Sequence, residues 1–423
     1  GHTALYHHGL VSSIEDMIYV SSDKIEEQIK NLSGKAIQEH EIRGNRTWSL
    51  TRLDDAEERV ARNIINKLAQ APRHTREEAE QAVDAAISRS SGTLNERQRE
   101  AAIVAISSPL SILTGGPGTG KTHTLRIILE AWKALCAQKR LNLPVQIAAP
   151  TGKAAKRASE VTGIDGKTIH RALEYDPESN SFQRNRGNPI DAGFLAIDES
   201  SMPDILITRD LTEAWGDSSV LLVGDVEQIP SVGPGCVLRD LLESGVVPAT
   251  RLIEIYRQSE GSEVALGADD VRLGRMPQTA APGKGELVFI DINSPAEVAE
   301  RIREMYVEKM PRYLASKDMD PTSIQILSPG KQGDVGTLNL NKMVQESIHG
   351  PDPKGPQVML SDKMVGRVGD RVIQLENDYE LNIFNGDTGR IIEIETNSEG
   401  KVTDTHVDFG DRIVGFSGSA LGN

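Results

Sequence analysis

The densest chemistry in the sequence is the octet Gly115-Gly116-Pro117-Gly118-Thr119-Gly120-Lys121-Thr122. Gly115, Gly120, Lys121 and Thr122 fit the spacing G-x-x-x-x-G-K-[ST]. These residue types suit a polyphosphate. Glycines let backbone N–H groups curl around phosphate oxygens without a Cβ in the way. A helix leaving such a loop adds the positive end of its dipole. Lys121 is then expected to reach the β- and γ-phosphates, and the Thr122 hydroxyl to hold Mg²⁺. Gly116, Pro117, Gly118, Thr119, Gly120, Lys121 and Thr122 are therefore the candidate ATP-binding set. A dinucleotide fingerprint does not fit, because its third glycine would fall on Lys121 or His123. The second half of such a site is a carboxylate at a neighbouring strand end, and Asp198-Glu199 follow the apolar run Phe194–Ile197. Asp198 is the candidate second metal residue. Glu199 is the candidate for orienting or deprotonating the attacking water. Gln228 follows another apolar run, Val220–Val223, at the end where ligands bind in parallel sheets. Arg257, in L-I-E-I-Y-R-Q, is a candidate for stabilising phosphoryl charge.

The elements that must position these groups follow from periodicity. Apolar runs at 110–113, 145–149, 194–197 and 219–223 read as buried parallel strands. The strand at 110–113 feeds the loop, and a helix leaves it with Leu125, Ile128, Leu129 and Trp132 on one face. Alternation of strands and helices implies an α/β domain. Residues 1–93 read as a mostly helical accessory region, with a capping box from Thr75 to Glu78. A second alternating stretch places strands at 287–291 and 324–327 and helices at 295–308 and 334–348. The tail reads as a small antiparallel barrel or meander, with strands at 371–375, 389–395, 401–409 and 412–416 and turns at Asn385-Gly386 and Glu399-Gly400.

In order and content, these motifs resemble those of the RecD-like DNA helicases of superfamily 1. L-N-E-R-Q-R-E-A at 94–101 is similar to the family's adenine-reading segment, which gives Gln98 the role of contacting the base. The family's phosphate loop corresponds to 115–122, its acidic motif to D-E-S-S-M at 198–202, and its coupling motif to G-D-V-E-Q-I-P-S-V-G-P-G at 224–235. Y-R-Q at 256–258 carries its γ-phosphate arginine, here Arg257. A-P-T-G-K-A-A at 149–155 and T-I-H-R at 168–171 resemble segments on the DNA track, implying contacts from Pro150, Thr151, Gly152, Lys153, His170 and Arg171. L-S-P-G-K-Q-G at 327–333 resembles a segment of the second motor domain. Residues 369–379 and 384–389 resemble a Src-homology-type barrel inserted there, implying DNA contacts from Asn377, Tyr379 and Asn385. The stretch 173–186 corresponds to a hairpin that splits the duplex, in which Tyr175 and Phe182 either pack or meet a base.

The resemblance implies RecA-like P-loop NTPase motor lobes in an α/β fold: a helical region over 1–93, a first lobe over 94–258, a partial second lobe over 259–365 and the barrel over 366–423. It implies an ATP-dependent helicase or translocase using ATP and Mg²⁺. Such a protein moves 5′ to 3′ on single-stranded DNA, meets duplex–single-strand junctions, and works in recombination or repair, alone or with other recombination-complex subunits. The family's later H-x-x-Q-G and T-A-x-T-R-A motifs do not occur before Asn423. The sequence is thus either a piece of a longer protein or a natural short form, and activity of the chain alone is open. Two alternatives stand: the helicase part of a relaxase-helicase, and a nucleotide-binding structural subunit without turnover.

Composition sets limits. Two cysteines, Cys136 and Cys236, exclude a disulfide scaffold and a four-cysteine zinc site. With no signal pattern and no apolar run of about eighteen residues, a cytoplasmic protein without a membrane partner is expected. The net charge of −15 opposes nucleic acid as a partner only when averaged over the chain. Residues 94–190 hold 14 basic and 8 acidic side chains. Affinity for phosphates follows that local excess.

Overall fold

The computed structural model describes residues 2–90, 93–176, 178–254, 262–281, 283–320, 324–350, 355–361, 364–375, 378, 381, 383, 385–410 and 412–418. The chain forms two compact units, Gly1–Glu260 and Gly261–Asn423.

The first unit opens with β1 (Ala4–Tyr6), α1 (His7–Ile18), α2 (Ser22–Leu32), β2 (Ile37–Ile42) and β3 (Asn45–Leu50). The three strands form an antiparallel sheet in the order β1-β3-β2. Trp48 of β3 buries against Ile25 and Ile29 of α2, and its Nε1 donates to His7 Nδ1 at 2.9 Å. Helices supply most of 1–93, and this small sheet is added to them. Positive φ at Arg43 and Gly44 closes a two-residue hairpin, a turn with none of the usual Asn-Gly or Asp-Gly signal.

Next come α3 (Thr51–Leu68) and α4 (Arg76–Arg89). Both pack into the α/β core rather than forming a separate layer. Leu53, Ala56, Val60 and Ile64 of α3 share a buried cluster with Leu110, Leu195 and Val220. Ala79, Ala82, Val83 and Ala86 of α4 share another with Ile128 and Trp132. Lys67 of α3 is 1% exposed. It donates to Gly216 O at 2.8 Å and Gln70 Oε1 at 2.9 Å, and burial pulls its pKa down to about 8. A boundary at 93 therefore does not separate packing units. The expected capping box is present: Thr75 Oγ1 accepts from Glu78 N, and Glu78 accepts from Thr75 N.

The α/β core runs α5 (Glu96–Ser107), β4 (Leu110–Gly115), α6 (Lys121–Gln138), β5 (Val145–Ala149), α7 (Gly152–Thr162), β6 (Gly166–Thr168), α8 (Ile169–Ala172), the short pair β7 (Tyr175–Asp176) and β8 (Ser181–Phe182), β9 (Phe194–Ile197), α9 (Ile205–Ala214), β10 (Ser219–Gly224), α10 (Val237–Ser244) and β11 (Ala249–Leu252). Six strands form a parallel sheet in the order β11-β4-β10-β9-β5-β6. Central strands β4, β9 and β10 are buried at every position, which explains their unbroken apolar runs.

The second unit contains α11 (Glu263–Arg272), α12 (Pro295–Glu304), a π turn at Met305–Lys309, α13 (Met310–Ser316) and α14 (Thr337–His349). The expected strands at 287–291 and 324–327 do not form. Their sequences suit a strand, but among the described residues neither segment has a ladder partner. Phe289 and Leu327 are 61% and 86% exposed, and a 300 Å³ cleft lies between Ile292, Val298, Ile302, Leu327 and Leu340. Then follow β12 (Gln357–Ser361), β13 (Met364–Arg367), β14 (Arg371–Ile373), β15 (Thr388–Thr396), β16 (Val402–Asp408) and β17 (Ile413–Ser417). The last four form an antiparallel meander in sequence order. Val358 of β12 joins Ile391, Ile394, Val407 and Phe416 in its core, so a boundary at 366 would cut through β13. No helix among the described residues is long and apolar enough to cross a membrane.

Candidate nucleotide site

Parallel register places the chemistry-bearing loops along one edge of the sheet. Across that edge lie the carboxyl ends of β11, β4, β10, β9, β5 and β6, with Leu252 opposite Gly115, Thr114 opposite Gly224, Leu222 opposite Ile197 and Ala148 opposite Ile197. Backbone bonds carry the alignment past the strands: Asp198 N donates to Ala148 O at 2.9 Å, and Ser200 N donates to Val223 O at 2.8 Å. The loop after β4 and the acidic pair after β9 thus flank the β10 end.

The loop 115–120 is wound on itself. Thr119 Oγ1 donates to Gly116 O at 2.8 Å. Gly118 and Gly120 take φ of +80° and +83°, open to glycine and strained for other residues. Lys121 opens α6, and its Nζ donates to Gly115 O at 2.6 Å and Gly116 O at 3.1 Å. The ammonium rests on its own loop carbonyls. Burial lowers its pKa, against the opposing charges of Asp225, Glu199 and Asp198. Pro117 and Thr122 lie in the loop and at the second position of α6, beside Gly116 and Lys121.

Burial raises the pKa of Asp198, opposed by the Glu199 N–H and the Lys121 charge. Asp198 Oδ1 accepts from Glu199 N at 3.0 Å. Glu199 is also raised, first by burial and then by Asp198 beside it. Its backbone sits at φ +51°, a conformation non-glycine residues rarely hold without a reason. Its Oε2 is buried with no hydrogen-bond partner. An orphaned carboxylate oxygen beside a second buried carboxylate suits a hard cation and its water shell. The acidic pair present therefore fits a divalent ion.

Gln228 is exposed in the loop after β10, its N–H on Asp225 O at 3.3 Å. Sequence reading passed over Asp225. It is 2% exposed, its Oδ1 accepts from Glu227 N at 3.0 Å, and its charge acts on both Lys121 and Glu199. The signal was available: an Asp immediately after a buried parallel strand, at its carboxyl end. Arg157 on α7 carries no motif signal, yet its charge acts on Lys121, Asp198 and Glu199.

Gln98 is the third residue of α5 and 3% exposed. It completes a capping box with Asn95, and its Nε2 donates to Thr119 O at 3.0 Å.

Of the candidate DNA residues, Pro150 and Thr151 are half-buried at the β5 end, Gly152 is buried and Lys153 is exposed. The Thr151 hydroxyl caps α7 by accepting from Ala154 N at 3.2 Å. His170 lies past β6 among aromatic rings, with centroids 6.1 Å from Tyr175 and 5.7 Å from Phe182. Burial lowers its pKa. Tyr175 and Phe182 pack on each other across the β7–β8 hairpin at 5.4 Å. Arg171 is exposed next to His170. In the second unit, Asn385 is exposed in a turn whose Gly386 N donates to Gln374 O at 2.9 Å. Arg257, Asn377, Tyr379 and the Pro177 hairpin tip lie outside the described residues.

A lysine-bearing glycine loop between a buried parallel strand and a helix, with a carboxylate pair two strands away, defines a RecA-like P-loop nucleotide-binding domain. Residues 98–234 match a family model described as an AAA domain, and residues 340–409 match one described as the SH3 domain of ATP-dependent RecD-like DNA helicases. The ATP-dependent RecD2 DNA helicase of Deinococcus radiodurans is 34% identical over 315 residues, covering 74% of this chain and 39% of that protein. The RecBCD enzyme subunit RecD of Mycolicibacterium smegmatis is 30% identical over 337 residues, covering 72% and 59%. The chain spans between about two-fifths and three-fifths of the length of these curated relatives. A solved structure of Pif1 helicases at forked duplex DNA aligns with a TM-score of 0.41 at 19% identity, covering 77% of this chain and 76% of that one. The chain thus carries both domain types and is similar to RecD-like helicases over about three quarters of its length.

Proposed function

We propose that this chain is the motor of an ATP-dependent DNA helicase that moves 5′ to 3′ on single-stranded DNA in recombination or repair. The observation that carries this is the facing of Lys121, Asp198, Glu199 and Asp225 at one sheet edge, three acidic groups around one lysine. In this reading Lys121 leaves its own loop carbonyls for the β- and γ-phosphates of ATP. Thr122 and Asp198 hold Mg²⁺, which when bound neutralises charge developing on the phosphate oxygens. Glu199, with a pKa raised by burial, takes the proton of the attacking water. Gln228 senses the γ-phosphate, and Arg257 stabilises its transferred charge. Pro150, Thr151, Gly152, Lys153, His170 and Arg171 grip the strand along the same edge, with Asn377, Tyr379 and Asn385 contributing from the second unit. Partners of this chemistry are single strands, duplex–single-strand junctions and recombination-complex subunits.

The test is strand displacement by the intact gene product on duplexes tailed at one end. The reading expects ATP-dependent displacement from a 5′ tail and none from a 3′ tail. Displacement only from a 3′ tail would contradict the polarity. ATP turnover with no displacement from either would favour a different use of the motor.

A further inference from the structure

The geometry points to Asp370 as a positioning residue that fixes the four-stranded meander on α14 and so aims the turn at Asn385-Gly386 toward a bound single strand. This role deepens the single-strand binding proposed above and rests on that reading. Asp370 lies in the turn between β13 and β14, and the turn closes on it twice. Its N–H donates to Arg367 O at 3.0 Å, and its Oδ2 accepts from Arg367 N at 2.8 Å. Two side chains of α14 reach the same carboxylate. Gln345 Nε2 donates to Oδ2 and also to Val365 O, the latter at 2.8 Å. His349 Nε2 donates to Oδ1 at 2.9 Å. Gln345 and His349 stand four residues apart, about one turn, so both lie on one side of the helix.

The residue type matters at this position. A carboxylate accepts at both oxygens, whereas an amide of the same shape accepts at one and turns an NH2 toward the remaining donors. The Asp370 side chain is only 16% exposed, so a donor left unmatched there is poorly compensated by water. The backbone of the turn carries the other half of the link. Ile391 N donates to Asp370 O at 2.9 Å, and Gly369 N donates to Ile391 O at 2.7 Å. Ile391 is fully buried in the core of the meander. A second tie runs beside the first, because Arg367 Nη1 donates to the O of Gly350, the residue after α14, at 3.1 Å. From Asp370 the chain passes through β14 to Gln374. Its N–H donates to Asp387 O at 2.8 Å, and its O accepts from Gly386 N at 2.9 Å. Those two bonds hold the turn that exposes Asn385. Helix, carboxylate, core strand and exposed turn are thus joined by one run of hydrogen bonds.

Two variants separate this latch from the fold of the meander. Gln345→Ala combined with His349→Ala strips the helix side and leaves the Arg367–Asp370 turn as it is. Asp370→Asn disturbs both sides. The experiment uses the 423-residue chain with Cys136→Ala and Cys236→Ala, and spin labels on Lys342→Cys of α14 and Ser398→Cys of the β15–β16 turn, both exposed positions. Label-to-label distances are measured by double electron–electron resonance, beside the affinity for a fluorescent oligothymidylate. The expected result is a narrow distance distribution without the latch variants and a broad one in each of them. Oligothymidylate affinity should fall about tenfold in both, while hydrogen exchange of β15, β16 and β17 keeps its protection. A distribution that stays narrow overturns the latch, and so does an affinity unchanged when the distribution broadens. Loss of protection in the Gln345 and His349 variant also overturns it, because the contact would then hold the fold of the meander rather than its direction. A wild-type chain that binds no oligothymidylate contradicts the proposed single-strand binding. The aiming role falls with that reading, while the label distances still decide whether Asp370 fixes the meander on α14.

Discussion

Glu199 combines three features that seldom meet in one side chain: left-handed backbone, a buried oxygen without a partner, and a pKa raised by burial and by Asp198. Each is unfavourable for the folded state, and together they suit a group that must hold water or an ion. The pH consequence has a definite sign. A carboxyl whose folded pKa is raised contributes stability that is complete below its unfolded value near 4.3 and lost as pH rises through the folded value. Once ionised, Glu199 therefore destabilises the fold. Glu199→Gln is expected to melt higher than wild type at pH 7, the difference closing as pH falls toward about 4. It is also expected to bind ATP while hydrolysing it at least a hundredfold more slowly, the order of a general-base contribution. Thermal melts across pH together with ATP binding and turnover check both parts; a variant less stable at pH 7 would refute the electrostatic account. Much of this site was legible in the sequence, because phosphate loops and strand-end carboxylates are local patterns. Asp225 carried the same strand-end signal, but the Gln98–Thr119 bond was not legible, since its partners lie 21 residues apart along the chain. No local spacing encodes such a contact.

At the scale of elements, legibility followed whether an element's stabilising partner lies nearby in sequence. The capping box of α4 was readable because both partners sit within one turn. Thr75→Ala removes it and is expected to lower stability by about 1 kcal/mol, measured as a fall in the urea midpoint at unchanged slope. An unaltered midpoint would mean that packing of α4 against α6 alone fixes the helix start. The strands expected at 287–291 and 324–327 failed for the converse reason. Their apolar content marks a chain able to pair, but pairing depends on a second strand that local sequence cannot supply. The sheet of β1, β2 and β3 was missed because its hairpin turns through Arg43-Gly44, without an Asn-Gly or Asp-Gly signal. The β7–β8 hairpin is short, and its aromatic rings pack on His170 beside backbone bonds from Gln183 N to Glu174 O and from Arg184 N to Leu173 O.

At the scale of the whole molecule, the charge of −15 coexists with a local excess of basic side chains over residues 94–190. Nucleic acid affinity depends on which charges face the strand, so the sum over the chain decides little. Lys153, exposed at the β5 end, belongs to this set. Lys153→Glu is expected to weaken single-strand binding equally for all sequences and to shrink the dependence of log affinity on log salt by roughly one unit, read by fluorescence titration at several salt concentrations. A sequence-selective loss would assign the residue to base contact instead. The helical segments α3 and α4, read from sequence as part of an accessory region, are built into the core of the first unit, so this part of the chain folds with the α/β core. The central claim is that the loop at 115–122 and the acidic pair drive DNA-coupled ATP hydrolysis. Its most direct test is the ATP hydrolysis rate of the intact gene product with and without single-stranded DNA, in wild type and Lys121→Ala. Stimulation by DNA in wild type and no turnover in the variant is the predicted result; equal DNA-stimulated hydrolysis in both would contradict the claim.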